Sequence, residues 1–141
     1  MNESVSAMSA MSAMNELKGR MTNLEFAKHM QARTKTFAVR VIRMFQRLPK
    51  TDEARILGKQ VLRSGTSVAA NYRAACRSKS RADFISKLGT TVEEVDETLL
   101  WLELLEESGI VPAKKLEAMK AETDELLRVL SASLDTAKRG R

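Results

Sequence analysis

Residues 54–75 read ARILGKQVLRSGTSVAANYRAA, and this stretch decides the fold. Its apolar and small positions recur at alternating spacings of three and four residues, which is the period of a helix that buries one face. These positions are Ala54, Gly58, Val61, Gly65, Val68, Tyr72 and Ala75. Because most of them are small, we expect a neighbouring helix to approach this face closely. Glycine costs about 1 kcal/mol relative to alanine inside a helix. We therefore interpret Gly65 as a packing requirement or a local kink rather than as part of a binding site.

Three further segments show the same period, and their ends carry helix signals. The predicted N-caps are Thr22 or Asn23, Thr51 or Asp52, and Ser78 or Ser80. Pro49 and Gly109 end helices, and Pro112 begins the last one. In the first helix we expect a core-facing band at Met30, Thr34, Phe37, Ala38, Val41, Ile42, Met44, Phe45 and Leu48. The pattern predicts an all-α protein, an up-down-up-down four-helix bundle with short loops.

The two ends of the chain differ in composition from the middle. Residues 6–14 repeat Ser-Ala-Met three times, which is low-complexity sequence without core-forming side chains. We predict a disordered tail at residues 1–21, the bundle at residues 22–137 and a basic C-terminal tail at residues 138–141.

Few residues in the sequence carry catalytic chemistry. His29 is the only histidine and Cys76 the only cysteine, and no third group completes a nucleophile with them. Glu94 and Glu97 share a helix, but neither is followed by the histidine of a di-iron site. There is no glycine-rich phosphate loop, Cys-x-x-Cys motif or nucleophile elbow. We expect a non-enzymatic protein with no catalytic residue, no metal site and no cofactor.

The single cysteine also indicates a reducing compartment. No apolar run approaches the roughly 20 residues that cross a bilayer. The N-terminal residues lack the basic start and apolar stretch of a secretory signal. We therefore expect a cytoplasmic protein without a membrane partner.

Charge is distributed unevenly along the chain. Residues 22–81 carry a net charge of +11, whereas residues 82–127 carry −8. Arginines spaced by three, four or seven residues share a helix face and can follow a phosphate backbone. The candidate residues for binding RNA or DNA are Arg40, Arg43, Arg47, Arg55, Lys59, Arg73 and Arg77. Alternatively, the basic and acidic halves pair with each other, within one chain or between subunits, and the protein is then a structural or protein-interaction scaffold. The residues alone leave both possibilities open.

The second and third helices also resemble a known family. Residues 60–73, QVLRSGTSVAANYR, are similar to the central motif of the 23S ribosomal-RNA intervening-sequence protein family, and residues 83–88, 93–98 and 101–105 continue the similarity. The resemblance covers residues 26–130 and departs from the family pattern at Ala74, where an acidic residue is frequent.

This resemblance implies a bacterial four-helix bundle that forms homo-oligomeric rings, typically pentamers. Related accessory variability determinants, which serve diversity-generating retroelements, bind a reverse transcriptase and nucleic acid. The resemblance thus implies an accessory role, with a reverse transcriptase or another protein as an expected partner. By analogy with the motif, we expect Arg63, Ser67 and Asn71 to be structural.

Overall fold

The computed structural model describes residues 21–140, and the predicted tail at residues 1–21 therefore lies outside them apart from Met21. Within this range the chain forms four α-helices and no strand, which confirms the predicted all-α fold. The helices are α1 (Asn23–Gln46), α2 (Asp52–Cys76), α3 (Arg81–Glu107) and α4 (Ala113–Lys138). Met21 packs against the core ahead of α1.

The helix ends follow the predicted capping signals. The side-chain oxygens of Thr22, Thr51 and Ser80 accept hydrogen bonds from backbone amides three residues later, at 3.1 to 3.3 Å. Gly109 ends α3 with a positive φ of 78°, and the Ile110 amide donates back to the Leu105 carbonyl at 3.1 Å. This is the hydrogen-bonding pattern of a Schellman motif.

Successive helices run antiparallel, joined by residues 47–51, 77–80 and 108–112. At one end of the bundle, Phe26, Tyr72, Phe84 and Ala137 line a common cavity, and we call this the Phe26 end. At the other, Leu48 of the α1–α2 connection shares a groove with Leu116 of α4, and we call this the Leu48 end. Helix α2 packs between α1 and α3, and α3 packs on α4.

Gly65 marks a close crossing of α1 and α2. A Cβ atom added there would lie 2.8 Å from Cγ2 and 2.9 Å from Cγ1 of Val41. Gly58 repeats the arrangement two turns earlier, where an added Cβ would lie 2.5 Å from Cδ1 of Leu48. Val41 is fully buried and stiff at χ1 because it is β-branched. The interpretation of Gly65 as a packing requirement is confirmed.

The core contains hydroxyl groups whose hydrogen bonds are satisfied locally. Thr98 of α3 donates to the Glu94 carbonyl at 2.7 Å and lies 2.8 Å from the Ser64 hydroxyl of α2, which is also buried. Thr34 and Thr123 donate to carbonyls one turn back in their own helices. Within residues 21–140 every buried side-chain nitrogen or oxygen has a hydrogen-bond partner. Burying these hydroxyl groups therefore does not carry the free-energy cost of an unsatisfied polar group.

One predicted core position is wrong. Ile42 is 38% exposed, and its neighbour Val39 is 39% exposed. The buried face of α1 is set by Met30, Phe37 and Val41, and Ile42 lies about 100° further round the helix than Val41. The predicted band was therefore too wide on this side.

We expect Gly65→Ala to lower the free energy of unfolding by about 1–2 kcal/mol. Overpacking costs about 1–3 kcal/mol, and the better helix propensity of alanine returns up to about 1 kcal/mol. Gly89→Ala is the matched control, because a Cβ on Gly89 of α3 meets nothing within 4 Å. It should raise the free energy of unfolding by about 0.5–1 kcal/mol. Urea unfolding followed by circular dichroism measures both values, and equal stabilisation by the two substitutions would contradict the close crossing.

Candidate nucleic-acid interface

The structure divides the seven predicted nucleic-acid-binding residues into two groups. Five lie toward the Leu48 end: Arg40 and Arg43 on the last turns of α1, Arg47 at its C-cap, and Arg55 and Lys59 on the first turns of α2. Because α1 and α2 are antiparallel neighbours, these five share one end of the bundle. Arg73 and Arg77 lie at the Phe26 end, about 21 and 27 Å from Lys59 along the axis of α2 at 1.5 Å per residue.

Within residues 21–140 these cations have almost no carboxylate partners. Arg55 lies 3.6 Å from Asp52, and both side chains are more than half exposed. The other six form no ion pair within the part of the chain that the structure describes. The acidic half of the chain therefore does not neutralise them within one subunit.

Arg63, by contrast, is held in an ion-pair network between α2 and α3. Its guanidinium contacts both Glu97 and Glu94, the latter at 3.3 Å. The Trp101 indole donates to Glu97 at 3.3 Å. The hydrogen bond from Arg63 holds the pKa of Glu97 below its usual value, whereas burial raises the pKa of Glu94. The Arg63 guanidinium thus forms ion pairs with two carboxylates whose pKa values shift in opposite directions.

Two further cations join helices in ways that the sequence pattern missed. Arg33 of α1 donates to both oxygens of Glu122 of α4, at 2.9 and 2.8 Å. Arg81 donates to the Ala137 carbonyl at 2.7 and 3.1 Å and so caps the end of α4. Both fork-like arrangements use the planar guanidinium. Arg33, Arg40 and Arg47 are spaced by seven residues on one side of α1. Their spacing alone therefore could not predict that Arg33 forms an ion pair.

The other predicted structural residues make a local contact. Asn71 is half-buried and its side-chain amide donates to the Ser67 carbonyl at 2.9 Å, one turn back in α2. This bond remains within a single helix, whereas Arg63 reaches α3. A structural role for Ser67 and Asn71 stays a prediction.

Helix α3 carries an exposed surface of opposite charge, which we call the acidic leucine face. Leu100 and Leu104 are 47% and 38% exposed, one turn apart. Exposed carboxylates flank them along the same side of the helix, at Glu93, Asp96 and Glu107. This side of α3 is therefore both partly apolar and negatively charged, in contrast to the basic surface of α1 and α2.

The two candidates for catalytic chemistry, His29 and Cys76, differ in exposure. His29 is exposed on α1, and Cys76 is the half-buried last residue of α2. Burial raises the pKa of the Cys76 thiol despite hydrogen bonds with Tyr72 and Gln31. A raised pKa lowers the thiolate fraction, which is the reverse of nucleophile activation. No cluster of three or more His, Cys, Asp or Glu in residues 21–140 could hold a metal ion.

None of the described helices has the length and hydropathy needed to cross a bilayer.

The fold and this surface define a class: an all-α four-helix bundle with a basic surface on its first two helices, on which six of the seven predicted cations form no ion pair within residues 21–140. The model of the 23S rRNA-intervening sequence protein family matches residues 29–132. The chain belongs to this family, as the sequence motif predicted. A similar solved structure is a protein with unknown function from the S23 ribosomal protein family of Bacteroides thetaiotaomicron, 33% identical with a TM-score of 0.72. The similarity covers 77% of this chain and 97% of that chain. Comparison with curated proteins gives no match.

Cys76 should react slowly with iodoacetamide in the folded protein at pH 7 to 8. Burial disfavours the thiolate, so the reactive fraction increases only when the pH rises above the range of an ordinary thiol. Alkylation rates from pH 7 to 10, measured by mass spectrometry in the native state and in urea, check this expectation. A native rate equal to the unfolded rate at pH 7 would contradict it.

Proposed function

We propose that this protein is a non-enzymatic, cytoplasmic accessory protein that assembles with copies of itself into a ring and binds RNA or DNA through the basic surface of α1 and α2. The observation that carries the proposal is the absence of internal ion pairs for six of the seven cations on that surface, within residues 21–140. Unpaired cations gathered on adjoining helices favour an anionic partner outside the chain.

A phosphate backbone is the partner that matches this arrangement best. Arg55, Lys59, Arg73 and Arg77 recur at helical spacings along the exposed side of α2 over about 33 Å, and a duplex or strand presents charge at regular intervals over that length. The one tyrosine, Tyr72, is buried, so it cannot stack on a base. Binding is therefore expected to be electrostatic, without strong sequence preference.

The basic surface can be tested with a triple variant, Lys59→Gln, Arg73→Gln and Arg77→Gln. Each phosphate contact contributes about 0.7 to the slope of log affinity against log salt for single strands. Losing three contacts should therefore lower the magnitude of the slope by about 2. Fluorescence anisotropy with a mixed-sequence RNA from 50 to 300 mM salt measures this.

The matched control removes three cations that already have carboxylate partners, through Lys87→Gln, Lys120→Gln and Arg128→Gln. Its net charge equals that of the first variant, but its salt slope should change by less than 1. If both variants weaken RNA binding equally, net charge rather than the basic surface determines affinity. If wild-type protein binds no RNA at 50 mM salt, the nucleic-acid role is wrong.

Self-assembly is supported by two different surfaces on which exposed apolar side chains would form the contact. The acidic leucine face of α3 is one, and the other is the outer side of α1, where Val39 and Ile42 lie beside Lys35 and Arg43. Contact between two different faces is heterologous, and a heterologous contact forms a ring when its rotation closes. Five is the number of subunits that the family resemblance implies.

The acidic leucine face also favours a second candidate function, a protein-interaction scaffold without a nucleic-acid role. In that case the basic residues meet the carboxylates of the next subunit. Salt distinguishes the two candidate functions, because contacts between charged groups weaken as salt rises. Salt should release RNA from a nucleic-acid-binding protein, whereas it should dissociate the subunits of a scaffold held together by its charges.

Leu100→Lys should dissociate the assembly, because it places a cation where apolar contact is expected. The control is Leu24→Lys, another exposed leucine, at the start of α1 and away from the acidic leucine face. Light scattering after size exclusion should give a five-chain particle for wild type and control, and a 15.7 kDa chain for Leu100→Lys. A monomeric wild type, or an unchanged mass for Leu100→Lys with helicity retained, would contradict assembly through this face.

A further inference from the structure

A groove at the Leu48 end lies between the last turns of α1 and the first turns of α4, with a volume of about 610 Å³. Four cationic side chains line it: Arg40, Arg43, Arg47 and Lys115. The rest of the lining is mostly apolar, including Met44, Leu48, Ile110, Val111, Leu116 and Met119. Among the described residues no carboxylate lines the groove. Its volume falls within the range of pockets that hold small molecules.

The charge in the groove is not neutralised by the bundle. Further along the seam between α1 and α4, Arg33 forms its two hydrogen bonds with Glu122. Within residues 21–140 none of the four groove cations has such a partner. The contact between α1 and α4 thus has an ion pair near the middle of the two helices, and it has only cationic charged side chains in the groove at the Leu48 end. An anion in the groove would relieve the repulsion among these four side chains.

The start of α4 contributes to the same positive potential. Pro112 occupies the N-cap, makes no side-chain capping bond and lines the groove. The first turn of α4 holds no acidic residue. The positive end of the helix dipole therefore adds to the arginine and lysine charges without a local carboxylate to offset it.

We propose that this groove binds a nucleoside phosphate, with the phosphates on Arg40, Arg43, Arg47 and Lys115 and the base and sugar against the apolar lining. Arginine forms bidentate hydrogen bonds with phosphate oxygens. The methionine, leucine and isoleucine side chains offer a surface for a flat ring that a bare phosphate would leave unused. A free nucleotide and the terminal nucleotide of a strand present the same chemistry. For the strand end the inference rests on the proposed function, whereas for the free nucleotide it stands alone.

Calorimetry at 50 mM salt with ATP and with inorganic tripolyphosphate tests the inference. ATP should bind at least tenfold more tightly than tripolyphosphate, because only ATP uses the apolar lining. The double variant Arg43→Gln with Arg47→Gln should lose at least tenfold in ATP affinity. The control Lys28→Gln with Lys79→Gln removes two lysines at the Phe26 end that form no ion pair within residues 21–140, and it should stay within twofold of wild type. Both pairs are exposed, so circular dichroism should show folded protein in each case.

Equal ATP affinity for wild type and the Arg43/Arg47 variant would overturn the proposal, and so would equal affinity for ATP and tripolyphosphate. The two possible ligands, a free nucleotide and the end of a strand, are distinguished by comparing an RNA that ends in a 5′-phosphate with the same RNA that ends in a 5′-hydroxyl. Preference for the phosphorylated end that disappears in the Arg43/Arg47 variant supports a strand end in the groove. ATP binding by a wild-type protein that binds no RNA supports the groove as a nucleotide site, while it contradicts the nucleic-acid role proposed above.

Discussion

The close crossing of α1 and α2 is the constraint on which the rest of the structure depends. Val41 of α1 occupies the space that a side chain at position 65 of α2 would need. Because the two backbones approach so closely, the helices that carry or border the seven candidate cations lie directly side by side. The alternation of small residues along α2 thus does more than fill the core. It also brings five of the candidate cations to the Leu48 end of the bundle, whereas Arg73 and Arg77 lie at the Phe26 end.

The carboxylates of the chain are used selectively. Glu94 and Glu97 of α3 form ion pairs with Arg63, and Glu122 of α4 forms one with Arg33. One arginine from each of α1 and α2 is therefore paired with a neighbouring helix. Each exposed ion pair contributes less than about 1 kcal/mol to the free energy of unfolding. These pairs therefore affect the distribution of surface charge more than they affect stability. They leave the Leu48 end cationic and the outer side of α3 acidic, which gives one molecule two faces of opposite sign.

Much of the fold could be predicted from the sequence, because helical period, caps and glycines are local signals. Thr22, Thr51, Ser80 and Gly109 occupy the predicted ends, and Gly65 has the predicted packing role. The candidate site was less predictable, since pairing depends on the register between helices. Arg33, Arg40 and Arg47 share one row, yet in the part of the chain that the structure describes only Arg33 pairs with a carboxylate. The groove at the Leu48 end likewise combines residues some 70 positions apart, which no spacing within one helix can indicate.

The most direct test of the account is sedimentation velocity of the wild-type protein with a mixed-sequence RNA at 50 and 500 mM salt. Apolar contacts are not weakened by salt, whereas counterion release makes phosphate binding strongly salt-dependent. We expect one particle mass for the protein at both salt concentrations, with RNA sedimenting alongside it only at 50 mM. A protein particle that dissociates at 500 mM and carries no RNA at 50 mM would contradict it, because the basic surface would then serve assembly alone.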